Sequence, residues 1–299
     1  MRLTIAIPVY NGERYLRETF ECINAQTFSD FEVIISDNAS TDGTEWICRD
    51  FAARDPRVRY VRNIRNVGMA ANFERLVKLA HGEYFKLATA DDRFDARLVG
   101  ECVAVLDAHP EVALCYGKTT LIDEDGKTIR QYEDNLDLRE PRAATRFWLV
   151  LERQRLVNVV HGVVRTRALR RAGPLGTYVG ADMVLVPAIA LQGQFWELPE
   201  YLFYRRMHPG ASSSIDTDAG DQEFWNPLTR HRTSLTTWPR FGGYVRAIVR
   251  APLSIGEKLS LLAGVGRRAI TFREALIGEA RDVLAAWWRR APRGERGPS

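Results

Sequence analysis

The first 117 residues alternate between two hydrophobic periods. "LTIAIPV" (Leu3 to Val9) is an almost unbroken apolar run before polar Asn11, which predicts a strand buried on both faces. "RYLRETFECINAQ" follows, with Tyr15, Leu16, Phe20 and Ile23 at helical spacing. The alternation then repeats as "FEVIISD" and "TDGTEWICRDFAARD", "VRYVRN" and "MAANFERLVKLAHG", "EYFKLATA" and "ARLVGECVAVLDAHP", and a fifth strand "VALCYG". Gly82 reads as the C-cap of the third helix and Pro110 as the stop of the fourth. Strands separated by single helices predict a Rossmann-like α/β fold, its sheet mostly parallel, joined by right-handed crossovers and flanked by helices.

After Gly117 the pattern loosens. "TTLIDEDGKTIRQ" reads as a hairpin, "HGVVRTRALRRAG" as a short strand and helix, and "ADMVLVPAIALQG" as a helix kinked or started by Pro187. "FWELPEYLFYRRMH" reads as two short strands broken by Pro199, and "PGASSSIDTDAGD" as a mobile loop. The organisation predicted is a domain over 1–215, with a first half (1–117) and a second half (118–215), and a helical basic extension over 216–299.

The polar residues of the first half fall at strand ends. Tyr10 and Asn11 follow the first strand, Asp37 and Asn38 end and follow the second, Asn63 and Asn66 follow the third, and Asp91 and Asp92 follow the fourth. In a parallel sheet these positions converge on one edge, where ligands bind.

Charge adds an asymmetry. Of 42 Lys+Arg and 38 Asp+Glu, residues 228–299 hold 14 basic and 5 acidic, so a basic tail follows an acidic body. Its stripe of Phe272, Leu276, Val283, Leu284 and Trp287 is read as packing on the chain's own domain or a second subunit, with peripheral membrane contact as the lesser alternative. Four cysteines without a CxxC pair suit reduced, buried thiols and a cytoplasmic setting. The first ten residues read as a strand rather than a signal peptide, and no apolar run approaches the roughly 20 residues that span a bilayer. No nucleic-acid partner is expected.

Two adjacent acids at a sheet edge pose an electrostatic question. Each carboxylate about 4 Å from a phosphate costs on the order of 4 kcal/mol at an effective dielectric near 20. Asp91 and Asp92 facing a diphosphate therefore imply a divalent metal between them, Mn²⁺ or Mg²⁺. The plainer reading is that Asp92 caps the helix beginning near Asp95. There is no GxGxxG after the first strand and no GxxxxGK[ST], so glycine-loop phosphate binding loses its main support.

"IPVYNGERYLRETFECINAQTFSDFEVIISDNASTDGT" closely resembles the opening of family 2 glycosyltransferases. The resemblance continues through "NIRNVGMAANFERLVKLAHGEYFKLATADD" and "GADMVLVPAIALQGQFWELPEYLFYRRMHPGASS", about Leu3 to Ser214 in all. It implies a single-domain GT-A nucleotide-sugar fold and an inverting transfer from a nucleoside-diphosphate sugar, UDP-linked or similar. The implied acceptor is a hydroxyl of a glycan, lipid-linked saccharide or small molecule, with polysaccharide biosynthesis as the setting. Pro8 and Tyr10 match the loop that packs on the donor base, Asp37 the acid on the nucleoside, and Asn66 and Gly68 the "NxG" near the donor. Asp91 matches the last acid of the DxD metal motif, with Asp92 beside it. His208 matches a histidine that reaches back to the metal or diphosphate. Asp182 matches the catalytic base; without the resemblance, it reads first as an N-cap.

Two positions depart from the family pattern. Thr89 stands where the first DxD acid is expected, and Ala181 stands where a glutamate usually precedes the base. A non-catalytic nucleotide-sugar-binding partner is the alternative. A nucleotidyltransferase on a similar sheet would need a Gly/Arg/Lys-rich triphosphate loop near the first strand, and this sequence has none there.

Overall fold

The computed structural model describes residues 1–209 and 235–290. From Gly210 onward the expected loop, like the 215/216 boundary and the last nine residues, lies outside the described residues. In chain order, β1 (Leu3–Val9), α1 (Leu16–Asn24), β2 (Phe31–Asp37), α2 (Thr44–Arg54), β3 (Val58–Arg62), α3 (Met69–Leu79) and β4 (Tyr84–Leu87) follow the predicted alternation. A short β5 (Arg93–Phe94), α4 (Leu98–Ala108), β6 (Val112–Ile122) and β7 (Thr128–Tyr132) come next. Then come α5 (Ala143–Arg153), a 3-10 turn (Asn158–His161), β8 (Val163–Arg165), α6 (Thr166–Ala172), α7 (Asp182–Ala190) and β9 (Gln194–Arg206). The extension is helical: α8 (Thr237–Arg250), α9 (Ile255–Thr271) and α10 (Arg273–Arg290).

The strands form one nine-stranded sheet in the order β3-β2-β1-β4-β8-β6-β9-β5, with β7 on β6. β1, β2, β3, β4, β6 and β9 run one way, while β5, β7 and β8 run against them. Every residue of β1 and β2 is buried because helices cover both faces. One core lies under α1, α2 and α4 with Ile5, Val33 and Tyr84; the other lies under α3, α5, α6 and α7 with Ile34, Phe85 and Leu114.

Several expectations are corrected by packing. The fifth strand and the first arm of the hairpin are one strand, β6, of 11 residues. The two strands expected around Pro199 are one 13-residue strand, β9. Leu198 pairs with Gly117 and Tyr201 with Lys118, so Pro199 and Glu200 form a bulge where a missing N–H costs no ladder bond. Gly82 does not cap α3, which ends at Leu79; a Cβ there would lie 2.5 Å from the Thr4 nitrogen, so glycine permits close approach to β1. β5 and α5 went unread, although Phe147, Val150 and Leu151 carry a helical pattern in α5. In the helical extension, α9 and α10 meet at Phe272. Leu276 is buried, but Val283 and Leu284 remain exposed, so only part of the stripe packs on its own domain. The Trp287 side chain lies outside the described residues. No helix among the described residues is long and apolar enough to cross a membrane.

One charge sits wholly inside the core. Lys86 of β4 is fully buried, donating to the His161 carbonyl at 2.6 Å and lying 4.4 Å from the Phe94 ring centroid. Burial pushes its ammonium down to about 8. The unfolded chain keeps that proton to about pH 10.4. Between these limits the unfolded state binds more protons, so stability rises with pH, by about 3 kcal/mol in all. Lys86→Met is expected to abolish that alkaline rise in urea melts at pH 7 and 9.5. An unchanged slope in the variant would exclude Lys86 as its source.

Candidate active site

The register of the sheet builds the first part of the site. β1, β2 and β3 pair so that Val9, Asp37 and Arg62 stand side by side at their carboxyl ends. Asp37 is completely buried; its Oδ2 accepts from Arg62 Nη1 at 2.6 Å and Tyr60 Oη at 2.7 Å, and its Oδ1 from the Ser40 N–H at 2.8 Å. Burial alone raises its carboxyl, but these donors more than offset that and hold it below the usual carboxylate value. As placed, Asp37 anchors the wall of the expected nucleoside pocket rather than facing solvent. Pro8 is buried within β1, and Tyr10 beyond it is 49% exposed, a free aromatic face.

A cluster of amides shapes the next loop. Asn38 donates to Asn66 Oδ1 at 2.7 Å and accepts from Asn63 at 2.9 Å and the Val67 N–H at 3.0 Å. Asn66 Oδ1 also takes the Gly68 N–H at 2.9 Å, and Gly68 (φ 83°) turns the chain into α3 with a conformation that favours glycine. The loop after β3 is thereby tied to the end of β2.

The acidic pair is split in function. Asp91 Oδ2 lies 3.1 Å from His208 Nε2, and the Asp91 side chain is 31% exposed. β9 pairs antiparallel with β5, Tyr204 opposite Arg93, and this carries His208 back to Asp91. The sequence reading places Asp92 in the metal set, but the structure turns it inward. Its Oδ1 accepts from the Arg206 N–H at 2.8 Å and its Oδ2 from the Thr89 hydroxyl, so both oxygens are already engaged within the protein. Burial, then the charge of Asp91, raises its carboxyl pKa. Nor does Asp92 cap α4, which starts at Leu98 without a side-chain cap.

Arg206 underlies this arrangement. By sequence, Arg205 and Arg206 could contact phosphate or acceptor or simply be solvated at a strand end; Arg206 is instead 1% exposed. It donates to the carbonyls of Asp91 (2.8 Å) and Glu124 (2.9 Å) and to Glu18 (2.6 Å). Its guanidinium also stacks 4.4 Å over Tyr15, whose ring lies 5.2 Å from that of His208. Tyr15 and Arg206 were missed as site residues because nothing local distinguishes a long-range partner from a helix-face aromatic or a strand-end cation.

Asp182 completes the set. Ala181 is the N-cap and Asp182 the first residue of α7, its Oδ1 accepting from the Met183 N–H at 2.9 Å. Burial raises its carboxyl pKa, moderated by that N–H and by Arg205 and Arg240. Asp182 shares a cavity of about 140 Å³ with Thr89, Asp91, His161 and Arg205. Arg205 is held by the Leu156 carbonyl (2.6 Å) and Asn158 (2.7 Å), which fixes a cation in the cavity wall. His161 stacks on Phe203 at 4.7 Å. The structure thus brings Asp91, His208 and Asp182 to one edge of the sheet, with Tyr10, Asn66 and Gly68 at neighbouring strand ends.

The family model described as glycosyl transferase family 2 matches residues 4–178. The chain belongs to this family. An uncharacterized Mycobacterium tuberculosis protein is 41% identical over 120 residues, 39% of this chain and 35% of that protein. The abequosyltransferase RfbV of Salmonella typhimurium is 36% identical over 126 residues, 41% of this chain and 38% of that enzyme. The matched stretch spans little more than a third of these relatives' own length. Among solved structures, Staphylococcus aureus TarS in complex with UDP-GlcNAc superposes with TM-score 0.66 at 19% identity, covering 91% of this chain and 73% of that one. The mannosyltransferase PcManGT from Pyrobaculum calidifontis, in complex with GDP-Man and Mn²⁺, gives 0.51 at 19%, covering 95% and 87%. These likenesses establish the GT-A fold.

Asp91 and His208 suit a divalent cation: an oxygen and a nitrogen donor converge at a partly exposed position. Among the described residues no group of three or more acidic, histidine or cysteine side chains could hold a metal, so within them Asp91 and His208 stand as a pair of donors.

Proposed function

We propose that this glycosyltransferase-family chain transfers a sugar from a nucleoside-diphosphate donor to an acceptor hydroxyl with inversion. The observation that carries this reading is that Asp91 and Asp182 line one cavity at the carboxyl ends of the strands. Tyr10 offers its ring to the donor base, while Asn66 and Gly68 shape the wall beside it. Asp91 and His208 hold the diphosphate end, where a bound Mn²⁺ or Mg²⁺ would neutralise charge on the leaving group. Arg205 supplies a fixed cation nearby. Asp182 accepts the proton of the acceptor hydroxyl as that oxygen attacks the anomeric carbon and the diphosphate departs, a single displacement. Its raised pKa makes it a stronger base than an ordinary aspartate. Asp92 and Arg206 position Asp91. The acceptor is a hydroxyl of a glycan, a lipid-linked saccharide or a small molecule.

The test is a donor screen by thermal shift, with and without Mn²⁺, followed by turnover. A ligand at 100 times its Kd adds about 2.7 kcal/mol of stability, so the correct base and sugar stand out. Asp91→Asn is expected to remove the Mn²⁺-dependent part of that shift. Binding without turnover on any hydroxyl acceptor would point instead to a non-catalytic nucleotide-sugar-binding protein.

A further inference from the structure

The cavity beside Asp91 and Asp182 is chemically unusual for a sugar enzyme. Beyond its polar residues the lining is apolar, with Phe73, Phe85, Leu114, Val164, Leu169 and Leu185 supplied by α3, β4, β6, β8, α6 and α7. At about 140 Å³ the space is of benzene size, apolar on this side and bordered by Asp91, Asp92, His161, Asp182 and Arg205 on the other. In an inverting displacement the sugar ring must stand between the leaving diphosphate and the attacking hydroxyl, hence between Asp91 and Asp182. The group that enters this cavity therefore belongs to the donor sugar.

A hexose with all its hydroxyls fits such a wall badly. A hydroxyl buried there without a partner loses its water and gains nothing. His161 also lines the cavity, and its Nδ1 is buried without a hydrogen-bond partner. Burial first, then Arg205 and Lys86, keeps the ring neutral, so it can serve one sugar hydroxyl.

Resting on the transferase reading above, we propose that the cavity is a subsite for a deoxygenated donor sugar: a nucleoside diphosphate-linked hexose in which a methyl or methylene replaces at least one hydroxymethyl or hydroxyl group. That apolar edge packs against Phe85, Leu114 and Leu185, and a retained hydroxyl bonds to His161.

The experiment compares donors matched in base and stereochemistry, by titration calorimetry with Mn²⁺ present. GDP-mannose is set against GDP-6-deoxymannose, and UDP-galactose against UDP-6-deoxygalactose, with GDP and UDP as references. For the base that binds, the deoxy member is expected to bind at least tenfold tighter. Leu169→Phe and Leu185→Phe, which fill the cavity, should each reduce that preference to under twofold while leaving the bare diphosphate unchanged. Equal affinities within both pairs would overturn the proposal, as would a preference that survives both fillings. An advantage of UDP-GlcNAc over UDP-glucose with no deoxy preference would assign the cavity to an acyl group and likewise overturn it. If the fillings alter only transfer to alkyl glycosides, the cavity serves the acceptor and the donor assignment fails. Absence of binding by every diphosphate, sugar-linked or bare, would instead sink the transferase reading itself.

Discussion

Asp182→Asn lowers transfer roughly 10²- to 10⁴-fold, the range that a positioned general base supplies, while donor affinity stays within about twofold. The substitution keeps the shape of the side chain and an oxygen to accept the Met183 N–H, so the start of α7 stays intact. What it removes is the basic oxygen for the acceptor proton. The pH profile provides an independent reading. A base works only when deprotonated, so wild-type activity climbs with pH through the pKa of Asp182. Burial moves that limb above the range of an ordinary aspartate. The residual activity of the variant should lack the limb. A variant with wild-type turnover, or with the same acid limb, would remove Asp182 from the role.

Arg206→Met costs about 3–5 kcal/mol, as expected when one partner of a buried charged network is removed. A chain of this size should then melt roughly 5–8 °C lower. The methionine fills much of the volume but leaves the Asp91 and Glu124 carbonyls and Glu18 without their donor. Because Glu18 is partly exposed, water recovers part of its loss, and the two carbonyls carry most of the cost. With the Asp91 backbone released, Mn²⁺-dependent donor binding should weaken as well. Arg206→Lys keeps the charge but cannot reproduce the planar fork, so it should rescue little. A melting point within two or three degrees of wild type would show that these bonds add nothing.

The uneven legibility of the site has a physical basis. Asp37, Asn66 and Asp91 stand out because strand ends are visible as the close of an apolar run, and a parallel sheet turns those ends toward one edge, whereas Asp182, at the start of a helix, stands out only through the family resemblance. Direction beyond the strand end is not visible in that way. Asp91 and Asp92 are neighbours with the same side chain, yet one meets His208 and the other turns inward to Thr89 and the Arg206 N–H. That choice depends on β9, more than 100 residues later, arriving antiparallel against β5. The same pairing converts Arg206 from an apparent surface arginine into a fully buried anchor.

The sequence by itself determined the alternating first half, the location of the polar strand ends and the family, since these rest on local periodicity and on motifs of fixed spacing. Only the tertiary structure decided which acid meets His208 and which turns inward, that Pro199 sits in a bulge of one long strand, and that a largely apolar cavity opens beside Asp182. Each of these depends on segments far apart in the chain meeting in one register. Local pattern fixes where a side chain can point, and long-range packing fixes what it meets there.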